Sequence, residues 1–195
     1  RADELEAAFT SDGTLLGLRF KNCVNVGAYV RAPEPASVYR MHAASNGCYA
    51  VKNISIQNKL VSTNKMPVGL NRGYGGPQFY YGLERMMDLT ARKLNIDTAE
   101  IRRKNFIPED QFPYHAPAGA IYDSGNYSEA LDLLLKLSNY ENIKRRRKQA
   151  RAAGKLFGIG MGAGVEPSGS NMAYVTLAQT AEERKRAGGR SGGTA

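Results

Sequence analysis

The sequence predicts an α+β fold in which mixed or antiparallel strands pack against helices. In the first 20 residues, apolar positions alternate on either side of the turn Ser11-Asp12-Gly13, as they do in a β-hairpin. From Gln78 onward, apolar positions instead recur at steps of three and four residues, which is typical of an amphipathic helix on a core. With 195 residues, 42% of them hydrophobic, the chain is long enough to bury such a core.

A strand-rich region is predicted over residues 1–64. The hairpin forms its first part, and two prolines in the stretch RAPEPASV stop the second strand. A short helix from about Ser37 to Ser45 follows, with Asn46-Gly47 as its stop signal, and a further strand region covers Cys48 to Leu60. The alternating apolar residues of the hairpin are Leu5, Ala7 and Phe9 before the turn, and Leu16, Leu18 and Phe20 after it.

A glycine-rich loop and four helices are predicted over residues 65–153. Asp97 is the expected N-cap of a second helix from Thr98 to Asn105. The stretch 108–126 is rich in proline, glycine and aromatic residues without periodicity, so it is predicted to be a loop long enough to carry function. The last two helices run from Tyr127 to Leu137 and from Glu141 to Ala153, and the stripe of the first one comprises Phe79, Leu83, Met86, Met87, Ala91 and Leu94.

The C-terminal part divides into two segments. Apolar residues alternate with glycine and serine over residues 154–177, which predicts two strands around a turn near Pro167 to Ser170. Residues 178–195 are basic and glycine-rich and offer nothing to bury, so they are predicted to be a flexible linker.

The charge pattern argues against nucleic-acid binding. The formal charge is +9, but the basic residues concentrate in runs at 143–151 and 182–190. Neither run has interleaved aromatic residues for base stacking, so we interpret them as a solvated helix face and a tail. Pairs such as Glu84 with Arg85, or Arg102 with Glu109, are interpreted as ordinary surface charge.

The sequence predicts neither a metal site nor a membrane-spanning helix within this chain. Cys23 and Cys48 lie far apart and outside any C-x-x-C pattern, so we expect reduced, buried thiols. His42 and His115 are isolated in the sequence, which favours packing roles over metal binding. No stretch approaches the roughly 20 apolar residues of a spanning helix, and the start lacks the pattern of a signal peptide. We therefore expect a cytoplasmic protein.

The densest functional signal is the stretch NKMPVGLNRGYGGPQ, residues 64–78. Its glycines permit left-handed backbone angles and close approach to a ligand, and a helix N-terminus follows directly. The pattern therefore predicts a loop that binds an anion or a cofactor, although a tight turn before a helix would also need glycine. It matches neither a Walker loop nor a dinucleotide fingerprint, because Gly-Lys-Ser/Thr and a preceding buried parallel strand are missing.

This loop, its helix with Glu84-Arg85 and the following AEIRRKNFI resemble the molybdopterin-binding large subunit of the xanthine oxidase and aldehyde oxidase family. The stretches NVGAYV, CYAVKNISIQNKLVSTN and LFGIGMGAGVEP resemble other parts of the same subunit, in the same order. The resemblance runs from about Leu5 to Leu177. It implies that residues 1–177 are a partial molybdopterin-binding domain, an internal segment of a larger subunit.

The resemblance implies site residues. Tyr74 would stack on a ring substrate, and Arg40 would orient the substrate and stabilise charge that develops on it. A packed core tyrosine and a surface arginine paired with a carboxylate are the alternatives at these positions. Gly73 stands where carbon monoxide dehydrogenases of the family carry a copper-binding cysteine, which argues against that activity. The residues expected to contact the cofactor are Asn71, Arg72, Gly73 and Gln78.

The implied protein is a molybdenum-dependent hydroxylase whose catalytic base lies outside this chain. It would act on an aldehyde or an N-heteroaromatic substrate, and the isolated chain would be inactive. The implied cofactor is molybdopterin, as its cytosine dinucleotide, with molybdenum, and electrons would leave through iron-sulfur clusters and FAD on partner chains or domains. The alternative function is a non-catalytic module that binds an anion or nucleic acid through the glycine loop and the basic helix.

Overall fold

A computed structural model describes residues 1–30, 38, 41–69, 73 and 75–165 of the chain. Within these residues the main elements are a three-stranded sheet and four complete α-helices, which confirms the predicted α+β class. None of the helices within these ranges is both long enough and apolar enough to cross a membrane. In chain order the strands and helices are β1 (Ala2–Phe9), β2 (Leu15–Gly27), β3 (Asn53–Ser62), α1 (Gly76–Leu94), α2 (Thr98–Asn105), a 3-10 turn (Glu109–Gln111), β4 (Tyr114–His115), β5 (Ile121–Tyr122), α3 (Tyr127–Leu137) and α4 (Tyr140–Ala152).

The main sheet is mixed. The predicted hairpin is present, with β1 antiparallel to β2, and β3 then adds parallel to the other edge of β2. One detail of the hairpin prediction was wrong, because Leu16 is 46% exposed while Leu15 is buried. The cause is a register shift at Phe9, which pairs with Leu15 although Ala8 pairs with Gly17. Beyond the shift, the even-numbered side chains of β2 face the core.

The segment before β3 agrees with the predicted helix only at Val38, which is helical, while residues 37, 39 and 40 lie outside the described part of the chain. The described residues 41–48 form consecutive turns with hydrogen bonds between residues three apart, such as Ser45 N to His42 O (3.2 Å), rather than an α-helix. Gly47 adopts a φ of +57°, which suits a turn. The strand β3 begins at Asn53 and not at Cys48. Cys48 instead accepts a hydrogen bond from the Ile107 amide (2.9 Å), so this stretch pairs with the chain that follows α2.

Helix α1 packs on the sheet as its apolar stripe predicts. The rings of Phe79 and Phe20 lie 5.1 Å apart, and Leu83 is fully buried. At the next turn, Met87 is fully buried while Met86 is only half-buried, so Met87 and not Met86 continues the core face. The core therefore lies between α1 and one face of the hairpin.

The other helices follow the sequence prediction closely. The Asp97 carboxylate accepts a hydrogen bond from the Ala99 amide (2.8 Å), which is the expected N-cap of α2. At the other end of α2, the buried Asn105 amide donates to Gly13 O (2.8 Å) and accepts from the Leu15 amide (2.7 Å). This side chain ties the hairpin turn to α2. The predicted loop at 108–126 contains only the 3-10 turn and the short β4–β5 pair.

The described part of the predicted C-terminal strands, residues 155–165, contains no strand. The described backbone offers this segment no sheet neighbour, and side chains of α1 and α2 hold it instead. Its second half, residues 158–165, is called the glycine-alternating segment below. The expected turn, the second strand and the predicted linker at 178–195 lie outside the described residues.

Candidate functional site

The glycine loop leads into α1 through two left-handed residues. Gly73 has a φ of +74° and Gly75, the N-cap of α1, has a φ of +86°. The Gly76 amide donates to Gly73 O (2.8 Å), which closes the turn, and Pro77 occupies the first turn of the helix. Only glycine adopts such angles without steric cost, so the glycines at 73 and 75 are needed for this backbone path.

The positive end of the α1 helix dipole is not neutralised by any described side chain. No described side chain caps it, and its first turn carries no acidic residue. The helix dipole and the amides of the first turn therefore present positive potential at the end of the glycine loop. Such an end can accept an anionic group of a ligand.

The chain reaches the glycine loop across the end of β2. A Cβ added to Gly27, which has a φ of +81°, would lie 2.5 Å from the backbone oxygen of Met66 and 2.6 Å from Cα of Pro67. The two stretches are joined by hydrogen bonds from Ala28 N to Lys65 O (2.9 Å) and from Val68 N to Val26 O (3.3 Å). Gly27 therefore allows the residues before the loop to lie directly on the sheet. Gly27 lies in the stretch NVGAYV, and the resemblance of that stretch to the family does not predict this contact.

Of the residues predicted for the site, only Gly73 and Gln78 lie in the described part of the chain. Both are at the start of α1, where Gly73 is half-buried and the Gln78 side chain is exposed. Asn71, Arg72, Tyr74 and Arg40 lie outside the described residues. The structure therefore brings Gly73 and Gln78 to one helix entrance, and the roles of all six residues stay predictions.

His42 lies beside the first turn of α1, with its ring edge-on to Phe79 at 5.8 Å. The Asn22 amide donates to Asn58 Oδ1 (2.8 Å), which leaves the Asn58 amide to donate to His42 Nε2 (2.8 Å). Burial lowers the pKa of His42 below the usual value. Within the described ranges no group of His, Cys, Asp or Glu side chains could hold a metal ion.

A buried ion-pair network lies behind the helix. Arg102 is fully buried and donates to Glu84 Oε2 (2.8 Å) and Asp88 Oδ1 (3.1 Å). The other oxygen of Glu84 accepts from the Tyr49 hydroxyl (2.6 Å). The interpretation of Glu84 and Arg102 as ordinary surface charge was therefore wrong. The signal available was the four-residue spacing of Glu84 and Asp88, which puts both carboxylates on one side of α1.

The network also reaches the glycine-alternating segment. Arg102 Nη2 donates to Met161 O (3.0 Å), and the Ala163 amide donates to Glu84 Oε2 (3.0 Å). A cavity of about 220 Å³ lies between this segment, Arg102, Cys48 and α3. Burial and then the charge of Glu84 raise the pKa of the Cys48 thiol to about 12, so this thiol is unreactive at neutral pH.

A glycine-rich turn before a helix N-terminus that no described side chain caps is a feature of anion- and cofactor-binding sites. The family model described as "Molybdopterin cofactor-binding domain" matches residues 2–106, which include the loop and the first two helices. The chain therefore belongs to this family, as the resemblance to the xanthine oxidase family large subunits predicts.

Individual relatives agree with this assignment. The chain is 33% identical over 170 residues to the nicotine 6-hydroxylase large subunit of Paenarthrobacter nicotinovorans, covering 86% of this chain and 21% of the relative. It is 37% identical over 163 residues to the carbon monoxide dehydrogenase large chain of Hydrogenophaga pseudoflava, covering 80% and 20%. The structure of quinoline 2-oxidoreductase from Pseudomonas putida 86 matches with a TM-score of 0.73 and 32% identity, covering 78% and 20%. The chain thus spans about a fifth of the length of these relatives.

Proposed function

We propose that the chain is a segment of a molybdenum hydroxylase large subunit, where it contributes molybdopterin contacts and substrate orientation. The observation that carries this proposal is the glycine loop at the N-terminus of α1, which no described side chain caps. Both lie inside the stretch that the family model matches. The substrate class is an aldehyde or an N-heteroaromatic compound. The N-heteroaromatic class is supported by relatives whose names specify nicotine and quinoline. These relatives do not favour a non-catalytic anion- or nucleic-acid-binding module.

The start of α1 fits the cofactor. Molybdopterin carries anionic groups, and the helix end offers backbone amides with no acidic side chain in the first turn. The positive φ of Gly73 and Gly75 lets the backbone come close to a ligand. We assign the cofactor contacts to the backbone from Asn71 to Gly73 and to the Gln78 amide, as the sequence resemblance implies.

The substrate contacts are assigned to Tyr74 and Arg40. A tyrosine ring stacks favourably on an aromatic or heteroaromatic substrate, which contributes about 0.5 to 1.5 kcal/mol beyond area burial. A guanidinium can polarise a substrate carbonyl and stabilise negative charge on the ring. Neither residue transfers a proton, so this chain orients the substrate while the base comes from elsewhere in the subunit.

The remaining parts of the enzyme are also proposals. When bound, the molybdenum cofactor supplies a two-electron oxidation that places a hydroxyl group from water on an electron-poor carbon. We propose the cytosine dinucleotide form of the pterin, and iron-sulfur and FAD-containing partners that remove the electrons. One relative is itself named as subunit gamma of a 6-hydroxypseudooxynicotine dehydrogenase complex, which supports a multi-subunit assembly. A cytoplasmic location stays a prediction from the sequence.

Mutation of Tyr74 and Arg40 in the assembled enzyme tests the proposal. Tyr74→Ala should lower turnover of a ring substrate roughly tenfold, about 1.4 kcal/mol, at unchanged molybdenum content. Arg40→Met should cost more for substrates with a carbonyl opposite the attacked carbon than for simple aldehydes. Tyr81→Ala is the matched control, because Tyr81 is 77% exposed on α1.

Turnover of both substrate types is measured at equal molybdenum occupancy, and metal analysis accompanies each variant. Equal losses of turnover on both substrates, or losses in proportion to molybdenum content, would show that Tyr74 and Arg40 have only a structural role. The 195-residue chain alone should bind no molybdenum tightly, because most of the cofactor contacts lie outside it. Stoichiometric metal in that chain would contradict its role as a segment.

A further inference from the structure

The glycine-alternating segment runs along α1 toward the glycine loop. Its Ala163 amide binds Glu84 (3.0 Å), and two residues later the Val165 carbonyl accepts a hydrogen bond from the Tyr80 hydroxyl. Tyr80 lies one helical turn closer than Glu84 to the N-terminus of α1. The segment is therefore antiparallel to the helix, and its described end lies at Tyr80, near the N-terminal end of α1.

Packing alone does not fix the position of this segment. Its odd-numbered residues from Ile159 to Val165 face the core, and glycines occupy the positions between them. Because apolar contacts are non-directional and this pattern repeats every two residues, a slip by two residues would keep the apolar face on the core, although with side chains of different size at each position. No described backbone group pairs with the segment as a strand neighbour. Its register therefore depends on directional bonds from side chains.

Glu84 provides the central bond. Its two oxygens accept from three donors, namely the Tyr49 hydroxyl (2.6 Å), Arg102 Nε (2.8 Å) and the Ala163 amide (3.0 Å). The Glu84 side chain is only 12% exposed and that of Arg102 is fully buried, so these charge-assisted bonds are shielded from water. Arg102 adds the bond to Met161 O (3.0 Å). The carboxylate thus holds one backbone atom of the segment at one place along α1.

We propose that Glu84, assisted by Tyr80, is a positioning residue that fixes the register of the glycine-alternating segment along α1. It thereby shapes the molybdenum pocket that we assign to the N-terminal end of α1, without touching substrate or cofactor. This inference rests on the proposed function. The negative charge of the carboxylate is the feature required. A glutamine oxygen could accept from Arg102 and Ala163 while its amide donates to the Tyr49 hydroxyl, but both bonds to that oxygen would lose their charge assistance.

The test compares three variants of the full-length subunit in its assembled enzyme. Glu84→Gln should speed hydrogen exchange of the Ala163 amide by roughly tenfold or more, since it loses a charge-assisted bond. Tyr80→Phe keeps the ring and should raise exchange in the peptide 158–165 less strongly. Tyr49→Phe is the matched control, because it removes a bond to Glu84 but leaves both contacts of Glu84 with Arg102 and the segment.

Steady-state kinetics on a ring substrate, at equal molybdenum occupancy, give the second readout. Glu84→Gln and Tyr80→Phe should raise KM severalfold with a smaller change in kcat, while Tyr49→Phe stays near the wild-type KM. Faster exchange in the first two variants with unchanged KM would overturn the role in the pocket. Equal exchange in Glu84→Gln and Tyr49→Phe would overturn the control of register.

Failure of the proposed function would be seen separately. A wild-type enzyme with no molybdenum and no hydroxylase activity would reject both the function and the pocket role. The exchange measurement needs neither metal nor turnover, so it would still show whether Glu84 holds the segment. If the wild-type enzyme instead binds molybdenum and is active, but the glycine-alternating segment exchanges at the same rate in all variants, only the role of Glu84 is rejected.

Discussion

The two sides of the glycine loop are held by different physical means. Before the loop, Gly27 lies against the backbone of Met66 and Pro67 with no space for a methyl group. After the loop, Glu84 and Arg102 hold the glycine-alternating segment through charged side chains. One side is fixed by steric contact between main chains, and the other by directional hydrogen bonds.

The difference teaches which substitutions each side can accept. Main-chain contact at a positive φ excludes every side chain, whatever its chemistry. The hydrogen-bonded side should instead accept changes of size on its glycines and reject changes of charge on α1 and α2. Identical glycine-to-alanine substitutions on the two sides should therefore have unequal effects.

Removal of the buried charge should have the largest effect. Arg102→Leu leaves Glu84 as an unpaired carboxylate that is only 12% exposed, so we expect a loss of about 3 to 5 kcal/mol in the free energy of unfolding. Urea denaturation followed by circular dichroism measures this loss. The partly exposed Arg103, which pairs with Asp132, provides the control, with an expected loss below about 1 kcal/mol for Arg103→Leu. Similar losses for the two arginines would contradict the role of burial.

Alanine at Gly27 should have the next largest effect. Its Cβ would meet the Met66 oxygen at 2.5 Å, and its φ of +81° is strained for any residue other than glycine. Steric overlap and backbone strain together should cost about 2 to 4 kcal/mol in the free energy of unfolding. The same denaturation experiment applies. A loss under about 0.5 kcal/mol, the usual range of a surface substitution, would show that the contact can relax.

Alanine at Gly164 should have the smallest effect. The added Cβ would lie 3.6 Å from the Tyr80 ring, which is an ordinary van der Waals contact, and the φ is not in the left-handed region. We expect a change within about 0.5 kcal/mol in either direction. The comparison with Gly27→Ala uses one substitution type on both sides of the loop. Equal losses at the two glycines would remove the distinction between them.

Local features of the fold could be predicted from the sequence. The hairpin turn, the Asp97 cap and the stripe of α1 depend on residues within about one turn or one hairpin of each other. The parallel pairing of β2 with β3 depends on contacts between distant segments, and no local pattern specifies it. The prediction at 155–165 failed for a related reason, since alternation indicates one buried face but does not provide a strand neighbour.

The candidate site was predictable only in part. The glycines of the loop could be recognised because the backbone path needs them at those positions. The close approach of Gly27 to Met66 and the Arg102 network both require knowledge of which distant residues become neighbours. A charged residue in a sequence is usually solvated, so nothing beyond the spacing of Glu84 and Asp88 distinguished Arg102 as buried.

The side chain of Asn105 also has a consequence for the order of folding. It supplies the buried hydrogen-bond partners of Gly13 and Leu15, about 90 residues earlier in the chain. During synthesis, the hairpin turn therefore lacks these partners until Asn105 has left the ribosome. Because contacts across such long sequence separation form late, the hairpin and α2 should become stable together rather than one after the other.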